Sequence, residues 1–411
     1  MRPHRNVNPV PVDYLPDAVL LALPALSRAR GSGEARADCA NCVMVPPALP
    51  ADHPRAFSAD TRCCTYYPDL PNFLIGRALR RGEDYAAVLR RQLTRTERVS
   101  AWGLEQPEDV LNPTGKRFGR ELGARCPYYA GGDLACGIWH DRNAVCRSWF
   151  CRYDDGKLGR RRWLALRDVL EWLETAIANL CVEAGEAPEQ GAAVDDWAAF
   201  FVWCAERVDV FSAADVDELR EPVLDELIAR WQSLVDAEPP ALPDVVTPTI
   251  ARSASTDGGL VLEGYSSMDW VDVDARALEL FVAMDGKTPW RDAVAATPAE
   301  ARVTEALVRD LHRIDILRVP AADPGQASDQ LPERLVPATA LPITCGERVW
   351  IQGASHLGSV FAPRSVFELL SRLDGDTPWR EALAAARARD PALSRELVAE
   401  LFRIGALAAA E

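Results

Sequence analysis

The stretch Cys126–Cys151 reads CPYYAGGDLACGIWHDRNAVCRSWFC and contains four of the protein's eleven cysteines. Two further pairs lie upstream, Cys39 and Cys42 in DCANC and Cys63 and Cys64 in TRCCTYYP. Thiolate sulfur is the preferred ligand of zinc and of iron–sulfur clusters, and four thiolates complete a tetrahedral Zn²⁺ site. The clustering therefore predicts a metal site with these candidate ligands: Cys39, Cys42, Cys63, Cys64, Cys126, Cys136, Cys146 and Cys151.

The spacing of these thiols leaves the metal and the grouping of the ligands open. Two four-thiolate zinc sites account for them, and so does one iron–sulfur cluster with additional reactive thiols. The competing interpretation is a set of buried thiols with no ligand. The Gly, Pro, Asp and Arg residues around the clustered cysteines disfavour it, because buried thiols usually lie on an apolar stripe. Cys181 and Cys204 do lie on such stripes and are predicted to be small buried side chains.

The cysteine pattern resembles that of the YkgJ family, whose members are described as zinc- or iron-chelating. CGIWHDRNAVCR at 136–147 fits the family's C-x-I-[YW]-x-x-R-x-x-x-C-R element, and Cys126 before Pro-Tyr-Tyr fits its isolated cysteine. The upstream cysteines fit the family's C-x-x-C-x-x-C-C run, except that twenty residues separate the two pairs where the family usually has two. The resemblance covers about residues 38–155 and implies a metal-chelating domain.

Arg142 and Arg147 stand at fixed positions around Cys146 in the same element. A guanidinium beside a thiolate favours the charged sulfur and can donate hydrogen bonds to it. Both arginines are therefore predicted to support the site without ligating the metal. The neighbouring aromatic residues are expected to form an apolar shell around it: Trp139, Trp149 and Phe150.

Other motifs of catalysis or ligation are sparse. His53 and His140 are alternative nitrogen ligands, but the number of available thiols favours a solvent-facing or structural role for both. The sequence contains no Walker loop, no dinucleotide-binding G-x-G-x-x-G, no H-E-x-x-H and no G-x-S-x-G. This disfavours an enzyme built on a familiar cofactor loop, whereas catalysis at the metal itself stays open.

The residues around and after the cysteines have helical patterns. NFLIGRALRRGEDYAAVLRRQLTR at 72–95 predicts two short helices broken at Gly82, and apolar residues recur at three- and four-residue spacing from about Arg161 to Ala184. A further helix carries Trp197, Phe200, Phe201 and Cys204. The next begins at the capping signal 212–215 and is broken by a proline at 222.

An internal repeat follows the proline-rich segment AEPPALPDVVTP at 237–248. LELFVAMDGKTPWRDAVAA at 278–296 matches FELLSRLDGDTPWREALAA at 367–385, and LVRDLHRIDILR at 307–318 matches LVAELFRIGALA at 397–408. Each copy is preceded by an alternating stretch that predicts a β-hairpin, and each is predicted to contain three short helices.

The order of these elements resembles the PqqD-like winged-helix module. The resemblance rests on the strands, on a helix ending in L-x-x-L/M-D-G-x-T, and on two helices closing on L-x-x-L/I-x-x-x-L. In that family the module holds a peptide, typically the leader of a ribosomally made precursor, against its strand edge and third helix. The resemblance to this module covers about residues 245–411 and implies two peptide-binding modules. The alternative is an interaction or dimerisation module without a peptide ligand.

Composition and charge limit the class of protein. The 411 residues are 48% apolar and 26% charged, as in a folded protein of more than one domain. The net charge of the chain is −15. Residues 251–411 carry 17 basic and 24 acidic groups, and this excess of negative charge disfavours nucleic acid as their partner. No apolar run is long enough to span a bilayer, and a signal-peptide layout is absent, so the sequence predicts a cytoplasmic protein without a membrane partner.

The sequence thus predicts a mostly helical, multi-domain α+β protein. We expect a flexible lead-in over 1–37, a cysteine-cluster domain over 38–160 and a helical region packed on it over 161–236. A linker over 237–248 and two winged-helix-like repeats over 249–322 and 331–411 complete the chain.

The leading functional hypothesis is a protein that binds zinc or an iron–sulfur cluster and recognises a protein or peptide through residues 249–411. The first alternative is an iron–sulfur or zinc enzyme that modifies a peptide held by the repeats. The second is a metal- or redox-responsive regulator that binds DNA. The predicted third helices, VTEALVRDLHRID and SRELVAELFRIG, carry mixed charge, and this ranks DNA last.

Overall fold

The computed structural model describes residues 11–29, 42–45, 53, 55–106, 117–129, 136–248, 252–256, 259–266, 268–274, 277–284, 286–298, 303–319, 331–338, 341–345, 348–352, 359–403 and 406–410. Both helices and strands are present. The chain divides into two compact units, Met1–Pro239 and Pro240–Glu411, and the division falls within the proline-rich segment. No helix in this described part of the chain is long and apolar enough to cross a membrane.

The first unit is mainly helical. Its helices and strands are, in chain order, α1 (Asp17–Ala22), β1 (Leu70–Pro71), α2 (Asn72–Arg80), α3 (Glu83–Leu93), β2 (Val99–Ser100), β3 (Gly103–Leu104), α4 (Ala144–Ser148), α5 (Gly156–Ala184), α6 (Val194–Asp209), α7 (Ala213–Glu218) and α8 (Pro222–Asp236). The three short strands form an antiparallel sheet in the order β1-β3-β2.

Helix α5 is the longest element of this unit, and α4, α6 and α8 pack against it. It begins at Gly156, five residues before the position predicted from the apolar spacing. The apolar stripe faces the core as predicted, although Leu180 is only half-buried. The cysteine segments and the helical region thus belong to one compact unit.

Helices α2 and α6 approach each other closely at Gly76. A Cβ atom at this position would lie 1.8 Å from the backbone oxygen of Phe201, so only glycine fits. Trp197, Phe200, Phe201 and Cys204 of α6 are buried, as their spacing predicts. The Cys181 thiol points at the Cys204 backbone oxygen at 3.8 Å, and both residues are fully buried. The prediction that these two cysteines are small buried side chains is confirmed.

The positions at which the helices begin and end agree with the signals in the sequence. Gly82, with φ of 139°, separates α2 from α3. Ser212 and Asp215 form a reciprocal capping box at the start of α7. Pro222 is the first residue of α8. Proline lacks a backbone N–H, and at this position an N–H would have no hydrogen-bond acceptor within the helix.

The lead-in differs from the prediction. Residues 11–29 pack into the first unit, and α1 contacts α7. Val12, Val19 and Leu26 are fully buried. The apolar run at 18–26 therefore contributes to the core, because burying it removes a large apolar surface from water. A flexible lead-in is wrong for these residues.

The second unit contains the two repeats. Its elements are β4 (Thr247–Pro248), β5 (Arg252–Thr256), β6 (Gly259–Ser266), β7 (Asp269–Asp274), α9 (Leu278–Ala283), α10 (Trp290–Ala296), α11 (Glu305–Arg313), β8 (Leu317–Arg318), β9 (Leu335–Pro337), β10 (Leu341–Cys345), β11 (Arg348–Gln352), β12 (Ser359–Pro363), α12 (Val366–Arg372), α13 (Trp379–Arg387), α14 (Arg395–Arg403) and β13 (Leu407–Ala409).

Each repeat has a three-stranded antiparallel sheet followed by three short helices. The predicted hairpins are β6–β7 and β11–β12, with matching register in the two copies. The sequence analysis missed the first strand of each sheet, β5 and β10. A pair of short antiparallel strands, β4 with β8 and β9 with β13, joins the start of each repeat to its end.

The two repeats share a buried tryptophan at the same position. Trp290 and Trp379 begin α10 and α13 and are each 2% exposed. The Trp290 amide donates to the Asp244 carbonyl at 2.8 Å, and the Trp379 amide donates to the Glu333 carbonyl at 3.1 Å. The Thr-Pro-Trp motif therefore anchors the middle helix of each repeat to the segment just before β4 or β9.

Candidate metal centre

Backbone pairing joins three of the cysteine segments. The Cys126 amide donates to the Cys64 carbonyl at 2.8 Å. Tyr129 forms an antiparallel bridge with Cys136, and the Gly137 amide donates to the Tyr128 carbonyl at 2.6 Å. Residues far apart in sequence are thus held side by side without help from any thiol contact.

Helix α4 brings in the next cysteine. Asn143 caps the helix, since its side-chain oxygen accepts from the Cys146 amide at 3.1 Å. The Asn143 side-chain amide donates to the Asp69 carbonyl at 3.0 Å and ties the cap to the segment before β1. The Asn143 side chain therefore fixes the position of Cys146 relative to the 63–69 segment.

Cys63 is at the centre of the thiol cluster. The thiols of Cys151 and Cys64 hydrogen-bond to its sulfur, and these bonds, helped by the nearby Arg142 guanidinium, hold the pKa of Cys63 well below its usual range despite burial. A hydrogen bond to the charged form of a group favours that form. The direction of this shift favours the charged form of the Cys63 thiol.

The pKa values of the surrounding thiols are raised instead of lowered. The hydrogen bond with Cys63, together with burial, raises the pKa of Cys64. Burial, reinforced by neighbouring thiols, raises the pKa of Cys126 and brings that of Cys146 to about 12. Burial also raises the pKa of Cys136 and of Cys42. Each of these thiols interacts electrostatically with Cys63, so placing several negative charges here without a cation is unfavourable.

The seven described candidate ligands therefore share one neighbourhood, whereas Cys39 lies outside the described residues. Among the residues that the structure describes, no group of three or more His, Cys, Asp or Glu side chains has the close arrangement of a formed coordination shell. The donor set nevertheless fits a soft metal in its chemistry, because sulfur dominates it and cationic side chains accompany it.

Arg142 lies close to the thiols, as the motif predicts. Its charge lowers the pKa values of Cys63, Cys136 and Cys146. The guanidinium stacks on the Trp139 ring at 3.7 Å from its centroid, and Nε donates to the Trp139 carbonyl at 3.2 Å. These contacts fix the guanidinium beside the cluster.

Arg147 has a more structural position. It is 4% exposed, donates from Nε to the Arg142 carbonyl at 2.6 Å and also donates to the His140 carbonyl. Its guanidinium lies 4.0 Å from the centroid of the Tyr14 ring. Burial lowers its pKa to about 10. Arg147 thus organises the segment 140–142 before α4, and its charge also opposes the rise of the Cys136 pKa.

The aromatic residues form only part of the expected shell. Phe150 packs on Trp163 of α5 with a centroid distance of 4.5 Å. Trp149 contacts Phe118 but is 39% exposed. His140 is exposed. His53 accepts the Arg55 amide on Nδ1 at 3.1 Å, so this nitrogen is engaged within the protein.

The sequence analysis missed a buried carboxyl group beside the cluster. Glu174 of α5 is 4% exposed and accepts the Tyr14 hydroxyl at 2.7 Å. It lines a cavity of about 260 Å³ together with Tyr66, Asp69, Glu105, Glu171 and Asn143. The available signal was its place in the helix, because Glu174 directly follows Leu173 and lies four residues after Leu170 on the apolar stripe.

Glu174 makes the stability of the first unit depend on pH. Burial raises its pKa to about 8, although the Tyr14 hydroxyl and Arg147 oppose the shift. Because the folded-state pKa exceeds that of the unfolded chain, the stabilisation is present at low pH and is lost as pH rises towards 8. Each pH unit in this window lowers the free energy of unfolding by up to about 1.4 kcal/mol.

We expect Glu174→Gln to flatten this dependence, because the amide stays neutral and can still accept from Tyr14. Urea unfolding at pH 5.5 and 7.5 checks it, and the variant should gain stability relative to the wild-type protein at the higher pH. Glu183→Gln, at an exposed position on the same helix, is the control. An equal difference between variant and wild type at both pH values would contradict the role of Glu174.

Comparisons with protein-family models, with curated proteins and with solved structures found no match. The resemblances to the YkgJ and PqqD-like families therefore stay predictions from the quoted motifs.

Proposed function

We propose that the protein binds zinc or an iron–sulfur centre through its N-terminal cysteine cluster and recognises a protein or peptide through its C-terminal repeats. The observation that carries the metal proposal is the convergence of the described thiols on Cys63. Partly buried thiols from well-separated segments that share a neighbourhood suit a structural or reactive metal as donors.

Electrostatics supports the same proposal. Several thiols here raise each other's pKa values, so assembling them as thiolates without a cation costs free energy. A bound cation reverses this balance, since it stabilises every thiolate that ligates it. Candidate ligands are Cys42, Cys63, Cys64, Cys126, Cys136, Cys146 and Cys151, with Cys39 as an additional candidate from the sequence. The metal would supply fold stabilisation or a Lewis-acid or redox centre.

Alanine variants of the cysteines test the metal proposal. We expect Cys63→Ala and Cys136→Ala to lower the metal-to-protein ratio strongly, because each removes a ligand from the cluster. Cys181→Ala and Cys204→Ala are matched controls, since both thiols are buried in the same unit but lie between α5 and α6. Elemental analysis of the four purified variants gives the ratios. Equal metal loss in Cys181→Ala and Cys136→Ala would refute the division of the cysteines.

For the repeats, we propose a winged-helix arrangement that binds an extended peptide. β5 and β7 are the outer strands of the first sheet, and β10 and β12 those of the second, so each sheet offers an edge for strand addition. The charge of α11 does not favour DNA: Arg309 pairs with Glu305 at 2.5 Å, and Arg313 pairs with Asp269. Neutralised arginines contribute little to binding a phosphate backbone.

Truncation tests the role of the repeats. We expect residues 1–239 alone to keep the metal of the full-length protein and to lose the proteins or peptides that co-purify specifically with it. Affinity purification of both forms, each followed by mass spectrometry and elemental analysis, measures the two properties together. Retention of every such partner by the truncated protein would show that the repeats are not the recognition element.

A further inference from the structure

A cavity of the first unit lies against helix α4, which carries Cys146. Its volume is about 260 Å³, which equals the liquid volume of about nine water molecules. Asn143 and Val145 belong to its lining, and Cys146 directly follows Val145 in the chain. Trp102 and Glu105, two further lining residues, are exposed, so the cavity opens to solvent. A space of this size holds a small molecule or one side chain of a larger ligand.

The inner part of the lining is buried and held in place by the fold. Glu174, Leu70 and Leu104 are all buried, and Leu70 pairs with Leu104 across β1 and β3. The Asn72 side-chain amide donates to the Ala178 carbonyl at 3.1 Å and joins the start of α2 to α5. A site that is formed before its ligand arrives loses less conformational entropy on binding. The walls of the cavity are therefore preorganised.

The lining of the cavity is acidic. Within the described ranges it contains no basic side chain, whereas four residues contribute carboxyl groups: Asp69, Glu105, Glu171 and Glu174. Arg167, from outside the lining, pairs with Glu171 at 3.3 Å, and the neighbouring Arg147 offsets part of the Glu174 charge. Asp69 and Glu105 add further negative charge, so the cavity repels anions and attracts cations.

Aromatic and apolar side chains limit the kind of cation. Trp102 is 53% exposed, and its Nε1 donates to the Asn179 side-chain oxygen at 2.8 Å, which fixes the ring at the opening. Tyr66 is half-buried and also lines the cavity, as do the apolar residues Leu70 and Leu104. Aromatic faces attract organic cations, whereas Mg²⁺ and Ca²⁺ require a shell of oxygen ligands. The lining therefore suits a cation with an apolar chain.

The origin of the carboxyl groups favours an ammonium over a guanidinium. Asp69 precedes β1, Glu105 follows β3, and Glu171 and Glu174 belong to α5. The acceptors thus come from three separate segments of the cavity wall. An ammonium has three donors that point in different directions, whereas a guanidinium matches a single carboxylate with its planar fork.

We infer that this cavity binds a primary alkylammonium group. The buried Glu174 receives the charged group, and Trp102 covers the apolar chain at the opening. The inference goes beyond the proposed function, because it rests on the lining of the cavity and requires no bound metal. Two sources supply this chemistry, a free alkylamine and the lysine side chain of a peptide.

Isothermal titration calorimetry on the full-length protein tests the inference at pH 8.5 and constant ionic strength. This pH is above the pKa of about 8 of Glu174, and an alkylammonium is still protonated there. The first probe is n-butylammonium chloride, with n-butanol as its uncharged reference. The second is N-acetyl-lysine amide, with N-acetyl-norleucine amide as its reference. We expect both ammonium probes to bind and both references not to. Stronger binding of the lysine derivative would assign the site to a peptide side chain, and equal or weaker binding would assign it to free amines.

Three variants identify the site. We expect Glu174→Gln to weaken binding of both ammonium probes by about tenfold or more, because it removes a charged acceptor from the buried part of the cavity. Trp102→Leu should weaken binding by several-fold, because it removes the aromatic face at the opening. Glu183→Gln should bind as the wild-type protein does, since Glu183 is exposed on the same helix and does not line the cavity. Circular dichroism shows whether each variant is folded.

Three results would overturn the inference. The first is the absence of binding of both ammonium probes to the wild-type protein, and the second is equal binding by Glu174→Gln and Glu183→Gln. The third is binding of magnesium or calcium chloride in place of both probes, which would make the carboxyl groups a divalent-cation site. The metal content of the thiol cluster is measured separately by elemental analysis, so the metal proposal can fail or stand independently of this site.

Discussion

Asp269→Asn is expected to destabilise the first C-terminal repeat by about 3–5 kcal/mol, the cost of leaving one member of a buried ion pair without its partner. Asp269 of β7 is fully buried, and the side chain of Arg313 on α11 is 12% exposed. Two parallel hydrogen bonds of 2.5 and 2.8 Å join them. The Tyr265 hydroxyl also donates to Asp269 at 2.5 Å. The pair therefore connects the sheet to the third helix.

Hydrogen exchange measured by mass spectrometry on the full-length protein can localise this effect. Peptides that cover β6, β7 and α11 should lose protection in Asp269→Asn, while peptides of the first unit keep theirs. Glu305→Gln is the control in the same repeat, because it removes an exposed ion pair with Arg309 that contributes at most about 1 kcal/mol. Similar protection in the two variants would contradict a stabilising role for the buried pair.

Gly76→Ala is expected to destabilise the first unit by about 1–3 kcal/mol, although alanine favours a helix more than glycine does. The new Cβ would lie 1.8 Å from the Phe201 oxygen and 2.5 Å from its carbonyl carbon. These are backbone atoms, so no side-chain rotation can relieve the overlap and α2 must move away from α6. The cost of that movement exceeds the gain of about 1 kcal/mol in helix propensity.

Urea unfolding followed by far-ultraviolet circular dichroism measures the effect of Gly76→Ala. Gly123→Ala is a matched control, since an added Cβ there meets no atom within 4 Å and the backbone is not left-handed. We expect the control to unfold as the wild-type protein does. A midpoint for Gly76→Ala at or above that of the control would show that the two helices have room for a side chain.

Local patterns predicted much of the fold. The apolar spacing on α5 and α6, the capping signal at Ser212 and the break at Pro222 all depend on neighbours within a few residues, and the structure agrees with each. The internal repeat correctly predicted two copies of a hairpin followed by three helices. Such features are readable because their causes are local.

The missed features have long-range causes. The strand β5 has the sequence RSAST, without apolar alternation, and it forms because β6 supplies its hydrogen-bond partners. The apolar run near α1 was too short to identify as core without knowing that α7 covers it. Glu174 gains its unusual environment from Tyr14, 160 residues away in sequence. The spacing of residues in the sequence does not indicate these long-range contacts.

The candidate site shows the same division. The motif around Cys146 predicts one site for its thiols and arginines, and the structure gives Cys136, Cys146 and Arg142 mutual electrostatic interactions. The buried carboxyl group of Glu174 beside the thiols carries no motif signal, and it becomes visible only through its burial and its hydrogen bond with Tyr14.

Elemental analysis with a visible absorption spectrum, on protein purified without oxygen, tests the central claim most directly. The account predicts a stoichiometric metal: a colourless protein with zinc, or a brown protein with iron and sulfide. Zinc would favour a structural centre and would indicate that the C-terminal repeats carry the function. Iron with sulfide would favour a redox or catalytic centre. The absence of stoichiometric metal, with all eight clustered thiols reacting readily with a thiol reagent, would contradict the account.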